Sequence, residues 1–218
     1  MTPTRHLVLG MILTGAAGFV DAIGFIELGG FFTSFMSGNT TQGGAALVQG
    51  GWPVVALTLS LVGLFFLGSV VGNLLALSSL GWGPAAVSGF VAIGVAVALA
   101  FVLAGFDSTR CMLVLALAAG AQNAILPMRG AVRLGATFVT GTLYIAGQDL
   151  ALGLKGKVPR WRWIQHLAIW LGLFGGAVVG ALLYRLVGVE ALGLPVVVYT
   201  AFMVGHIVAA RRDRRTPI

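Results

Sequence analysis

Ala17-Gly18-Phe19-Val20-Asp21-Ala22 returns 102 residues later as Ala119-Gly120-Ala121-Gln122-Asn123-Ala124. Two more stretches return in the same order. Ser34-Phe35-Met36-Ser37-Gly38-Asn39 reappears as Thr137-Phe138-Val139-Thr140-Gly141-Thr142, at an offset of 103. Gly68-Ser69-Val70-Val71-Gly72-Asn73-Leu74-Leu75 reappears as Gly176-Ala177-Val178-Val179-Gly180-Ala181-Leu182-Leu183, at an offset of 108. One match alone is weak in a chain with 33 glycines. Three in register, with an offset that only grows, point to a duplication with small loop insertions. The chain divides into two related halves, 1–106 and 107–218.

Composition says what solvent these halves meet. The 218 residues are 58% hydrophobic and 9% charged, and mean hydropathy is +1.01. Soluble domains carry about 25% charged residues, so this chain cannot cover a water-facing surface. In lipid every backbone group must be satisfied internally, by helices or by a closed barrel. The apolar runs are long and do not alternate with period two, which argues for an all-α, polytopic helical bundle. The net charge of +7 does not indicate nucleic acid. Lys155, Lys157, Arg160 and Arg162 share one short loop, and Arg211, Arg212, Arg214 and Arg215 crowd the C-terminal tail. Basic clusters beside apolar spans mark cytoplasmic ends.

A crossing helix needs about 20 mostly apolar residues. Spans are expected over about 7–28, 53–78 and 83–106 in the first half, and over about 111–128, 163–187 and 191–210 in the second. Between the first two spans of each half lies an apolar but Gly/Thr-rich segment, 31–49 and 134–154. If these segments cross, each half has four spans and the halves are parallel. If they are broken or re-entrant, each half has three spans and the second is upside down. Charge favours the second case: the 155–162 loop is strongly basic, while its counterpart Gly50-Gly51-Trp52-Pro53 carries no charge. Arg129 and Arg133 likewise face only glycines and Glu27 near the corresponding turn. The expectation is two inverted repeats of about three spans plus one re-entrant segment each. Arg5, the apolar run from Leu7 and the small residues 15–18 could pass for a signal peptide, but the segment belongs to the repeat and is read as a retained first helix. Gly68-x-x-x-Gly72 and Gly172-x-x-x-Gly176-x-x-x-Gly180 offer faces for close helix approach.

The stretches AGFVDAIGF (17–25), SGNTTQ (37–42), AGAQNA (119–124) and TFVTGTL (137–143) resemble the YoaK-like bacterial inner-membrane protein family, over nearly the whole chain. The resemblance implies a protein of about six spans in a family without an established activity. It names no substrate.

The site is argued from polar residues that are costly in lipid. Asp21 is the one carboxylate well inside an apolar span, whereas Glu27 sits near that span's end. A central charge costs roughly 2.5–3.5 kcal/mol on insertion scales, so it faces a cavity or a partner. Asp21 reads either as a proton or cation site or as a structural hydrogen bonder to Thr or Asn on a neighbour. Its repeat equivalent is Asn123, with Gln122 beside it. The second constellation comprises Ser37, Gly38, Asn39, Thr40 and Gln42 with Thr140, Gly141, Thr142 and Tyr144. Gly38 and Gly141 permit a helix break, Asn39 and Gln42 have capping-box spacing, and Thr142 could cap similarly. A half-helix starting at membrane depth would aim free N–H groups inward; tight helix packing is the plainer alternative. Tyr144 is expected to line a cavity beside Thr142. Asn73 reads as interhelical glue, His166 and Arg185 as snorkelling side chains, and His206 as a satisfied core residue.

The reading that follows is a transporter of a small polar solute or ion, proton- or cation-coupled through Asp21, in the bacterial inner membrane with both termini cytoplasmic. A channel or a non-catalytic scaffold is the alternative. No nucleophile triad, HExxH pair or metal cluster appears, and Cys111 is alone, so neither enzyme activity nor a cofactor is expected. The expected partners are the lipid bilayer and the solute, with a homo-oligomer compatible.

Overall fold

Long apolar runs give a helix no reason to stop until glycine, proline or a polar turn intervenes. The computed structural model, which describes residues 4–79, 81–126, 137 and 139–213, is built of helices accordingly. In order they are α1 (Thr4–Glu27), α2 (Met36–Val48), α3 (Trp52–Ser78), α4 (Gly83–Leu103), α5 (Ser108–Gln122), α6 (Val139–Leu154), α7 (Arg162–Val187) and α8 (Gly193–Asp213), with a 3-10 turn, Gly188–Leu192, before the last. Proline stands in the first turn of α3 and of α4, where its missing N–H costs nothing. Asp107 caps α5, its carboxylate accepting from the Arg110 amide at 3.0 Å.

Among the described residues, four stretches are long and apolar enough to cross a membrane: His6–Glu27, Trp52–Ser78, Gly83–Leu103 and Arg162–Arg212, the last containing α7 and α8. The span expected over 111–128 is shorter than expected. α5 ends at Gln122 after 15 residues, about 22 Å of helix against roughly 30 Å of hydrocarbon. Residues 127–128 of that expected span, residues 134–136 of the expected Gly/Thr-rich segment, and Arg129 and Arg133 lie outside the described residues.

The outer helices wear their apolar side chains outward. Phe66, Leu67, Leu74 and Leu77 on α3 are exposed, as are Leu171, Phe174, Leu182 and Leu186 on α7. Such faces would be a liability in water and are ordinary against lipid. The core is formed chiefly by α1, α4 and α5 through Ile23, Val87, Val91, Val95, Met112 and Leu115.

The glycine faces expected from sequence are where the helices touch. A Cβ on Gly176 would collide with the Gly15 carbonyl, and one on Gly180 would lie 2.7 Å from the Phe19 carbonyl. In the other half, a Cβ on Gly68 would collide with the Leu117 carbonyl, and one on Gly72 would lie 2.7 Å from that of Ala121. The same offsets that align the sequence relate these contacts: 117 − 15 and 121 − 19 are both 102, while 176 − 68 and 180 − 72 are both 108. Each half thus lends its first helix to the other half's third: α1 packs on α7 and α5 on α3. Residues 11, 15 and 19 meet 172, 176 and 180 in ascending order, so α1 and α7 run in the same direction. Backbones this close gain dispersion contacts that a larger residue would forfeit.

Asn73 corrects an expectation. It is exposed on α3 and donates to the Ser69 carbonyl of its own helix at 2.8 Å, so it glues no helix pair within the chain.

Candidate functional site

α1 leads into a sharp reversal. Gly29 and Gly30 adopt φ of +65° and +106°, a region open to glycine and strained for other residues. Residues 30–35 then run back along the end of α1, pinned from both sides. Asp21 Oδ1 accepts the Thr33 amide at 2.8 Å, the Thr33 hydroxyl at 2.9 Å and the Ser34 amide at 2.8 Å. From α2, Asn39 holds both backbone groups of Phe32: its Oδ1 accepts the Phe32 amide at 3.0 Å, and its Nδ2 donates to the Phe32 carbonyl at 2.6 Å. Gln42 Nε2 donates to the Gly30 carbonyl at 3.2 Å. An extended strand in an apolar setting has no ladder to satisfy it, and these three side chains supply the partners.

This geometry revises two expectations. Asn39 and Gln42 do not form a capping box, because α2 begins at Met36 and both lie within the helix, Asn39 fully buried. Nor does the helix break at Gly38; that glycine makes room for the Phe35 ring. Asp21 is engaged as a hydrogen bonder to Thr33 and Ser34, the structural alternative weighed from sequence.

The second half repeats the clasp in weaker form. Asn123 Oδ1 accepts the Thr137 amide and hydroxyl, both at 3.2 Å. Asn123 follows Asp21 by 102 and Thr137 follows Ser34 by 103, the offsets of the sequence repeat. Asn lacks the carboxylate's charge, and the bonds are longer, as neutral acceptors give.

The remaining candidates scatter. Thr142 is buried in α6, inside the helix rather than at its start, while Ser37, Thr40, Thr140 and Gly141 are exposed. The Thr40 hydroxyl donates to the Met36 carbonyl at 2.8 Å. Tyr144 is 73% exposed and faces away from buried Thr142 rather than sharing an enclosed cavity with it.

Gln122 is 4% exposed, and its Oε1 accepts the hydroxyl of the fully buried Tyr199 at 2.5 Å. Its Nε2 has no hydrogen-bond partner among the described residues. Gln122, Tyr199 and Thr33 meet the apolar Val91, Val95 and Leu115 around one internal cavity, with about 10 Å³ open to the centre of a water molecule. The first fold-back, the end of α5 and α8 therefore converge on a single spot. Tyr199 was not among the sequence candidates, since a tyrosine in a uniformly apolar helix gives no sign of which way it faces.

A second polar cluster joins residues that spacing alone did not bring together. Asp149 of α6 pairs through Oδ1 with the Arg162 guanidinium at the start of α7. Its Oδ2 accepts from Arg162 Nε at 2.7 Å and lies 3.2 Å from His166 Nε2. Asp149 and His166 are each 2% exposed, so His166 does not snorkel. The bidentate guanidinium holds the Asp149 carboxyl below the usual carboxylate range. At the other end of the membrane helices, the Tyr184 hydroxyl of α7 donates to Glu27 Oε1 at 2.6 Å.

Comparison with known proteins agrees with a membrane chain of this kind. Residues 9–205 match the family model "Protein of unknown function (DUF1275)". A UPF0700 transmembrane protein of Rhizobium meliloti (strain 1021) is 36% identical over 195 residues, covering 88% of this chain and 83% of that protein. No solved structure matches.

Proposed function

This chain belongs to the DUF1275 family and is a membrane protein, and from that premise we propose that it carries a small polar solute or ion across the bacterial inner membrane. The site is the internal cavity between the halves, reached by two re-entrant segments. One observation carries the reading: Thr33, clasped by Asp21 on the first fold-back, and Gln122, beside the Asn123 clasp of the second, line the same cavity. Inverted-repeat carriers bind solute where interrupted helices meet near the midplane.

The backbone path supports re-entry. Gln42 lies against Gly30 and Asn39 against Phe32, so α2 runs opposite to the strand before it and returns toward the end of α1. At 13 residues, about 20 Å, it is too short to cross. Reading α6 as the second re-entrant segment by the repeat, and α5 as a crossing by its packing along α3, gives each half three crossings with the halves inverted. The basic residues of the 155–162 loop and the C-terminal tail support a cytoplasmic side for both termini in this reading.

Asp21 is the coupling group in this scheme. It anchors the fold-back backbone at Thr33 and Ser34, and its equivalent Asn123 fits the same role as an amide that does not titrate. Asp21→Asn is expected to fold normally and to lose coupling. The check is solute-driven proton movement in proteoliposomes loaded with a pH-sensitive dye, screened across amino acids, nucleobases, amides and inorganic ions. Equal, gradient-dependent responses from wild type and Asp21→Asn would remove Asp21 from the mechanism.

A further inference from the structure

We infer that the solute is a small uncharged hydrogen-bond acceptor, received by the Gln122 side-chain amide in the cavity between α1, α4, α5 and α8. This deepens the transport reading and rests on it. The argument is an inventory of the wall. Thr33 spends its hydroxyl hydrogen on Asp21, and Tyr199 spends its own on Gln122 Oε1. That second bond turns Oε1 toward Tyr199 and leaves Nε2 as a buried donor with no hydrogen-bond partner among the described residues. A buried amide N–H without an acceptor carries the full penalty of its lost hydration. A solute that offers an oxygen or nitrogen lone pair removes that cost on binding.

Charge narrows the class further. Among the described residues, no Asp, Glu, Lys, Arg or His lines the cavity. Asp21 stands behind Thr33, and its Oδ1 already takes three donors. A cation would find no charged ligand on the wall. An anion would sit near that carboxylate in a medium of low dielectric and be repelled strongly whenever Asp21 is ionised. A neutral dipole meets neither obstacle. Size points the same way: about 10 Å³ open to a water centre is room for about one water, so only a solute of a few heavy atoms enters without large helix separation.

The test uses the full chain in proteoliposomes with urea, formamide, chloride and potassium as probes, read by stopped-flow light scattering and ion-sensitive dyes. Urea and formamide are expected to cross faster than through protein-free vesicles, with chloride and potassium at background. Gln122→Leu should lower the amide flux roughly tenfold, the size of one net hydrogen bond. Tyr199→Phe, which keeps the ring and only frees the amide to turn, should lower it less, and it serves if Gln122→Leu does not fold. Movement of chloride or potassium but not of the amides would overturn the neutral class while leaving transport intact. Amide flux unchanged in both variants would overturn the role of Gln122. Wild type indistinguishable from empty vesicles for every probe would overturn the inference, and with proton movement also absent it would take the transport reading with it.

Discussion

Gly176→Leu is expected to abolish recovery of folded protein, while the same change one residue earlier, Gly175→Leu, is expected to be tolerated. The two glycines are neighbours on α7 and differ only in what they face. A Cβ on Gly176 would collide with the Gly15 carbonyl, and the Gly15 Cα would lie 2.6 Å from it. The obstruction is backbone, so no rotamer change relieves it; α1 must move away from α7. Overpacking in a tight core costs about 1–3 kcal/mol when side chains can yield, and here they cannot. Separation would also unmake the contacts at Gly172 and Gly180, where the carbonyls of Met11 and Phe19 would lie 2.9 and 2.7 Å from an added Cβ. Gly175 has nothing within 4 Å of its Cβ position, and an outward leucine gains lipid contact. Size-exclusion profiles in mild detergent and thermal melting of the two variants check the pair. The repeat extends the expectation: Gly68→Leu should fail as Gly176→Leu does, because Leu117 stands to it as Gly15 stands to Gly176, whereas Gly63→Leu, with no neighbour within 4 Å, should survive. Failure of both members of either pair would mean that the bundle closes by something other than these glycine faces.

The contrast between those glycines also shows what a sequence of this kind discloses. Helix positions were legible because an apolar run of 20 or more residues has few alternatives; α3, expected over about 53–78, spans Trp52–Ser78, and α7, expected over about 163–187, spans Arg162–Val187. The close-packing faces were legible because spacing alone puts Gly172, Gly176 and Gly180 on one side of a helix. Orientation around the axis was not. In soluble helices polar residues mark the outer face, but α8 is apolar nearly all round, and nothing in its sequence turns Tyr199 toward Gln122 rather than toward lipid. Tyr144 failed in the opposite direction, drawn inward by its closeness in sequence to Thr142. The polar roles at the fold-back were partly legible. Asp21, Asn39 and Gln42 were picked out as costly residues, yet their work is to satisfy the stranded backbone of residues 30–34. That function depends on a reversal fixed by the positive φ of Gly29 and Gly30, which linear spacing does not reveal.

Arg162→Leu is expected to destabilise the protein by about 3–5 kcal/mol, the cost of stranding a buried carboxylate, and to reverse the effect of acid on stability. In the wild type Arg162 holds the Asp149 carboxyl below its ordinary range. A depressed carboxylate contributes stability above its unfolded value of about 3.9, and loses it as pH falls through the lower folded value. Removing Arg162 leaves Asp149, 2% exposed, with His166 alone for company. Protonating Asp149 or His166 then relieves the stranded charge or completes an ion pair, so the variant should gain stability on mild acidification where the wild type does not. The first half of the chain supplies the rescue. By the repeat offsets, 149 − 103, 162 − 108 and 166 − 108 give Ala46, Val54 and Thr58 at the equivalent junction. There Thr58 is buried beside Gly43, and its hydroxyl is satisfied by the Val54 and Val55 carbonyls at 2.9 and 3.1 Å. The same helix junction therefore closes without any charge. Asp149→Ala, Arg162→Val and His166→Thr introduced together should melt within about 1 kcal/mol of wild type, since a buried ion cluster is often replaceable by well-packed neutral residues. Thermal melts of the single and triple variants from pH 5 to pH 8 separate the outcomes. A triple variant as damaged as Arg162→Leu would mean that the two junctions are not equivalent, and that the charges of the second half shape the packing of α6 on α7 rather than merely being tolerated by it.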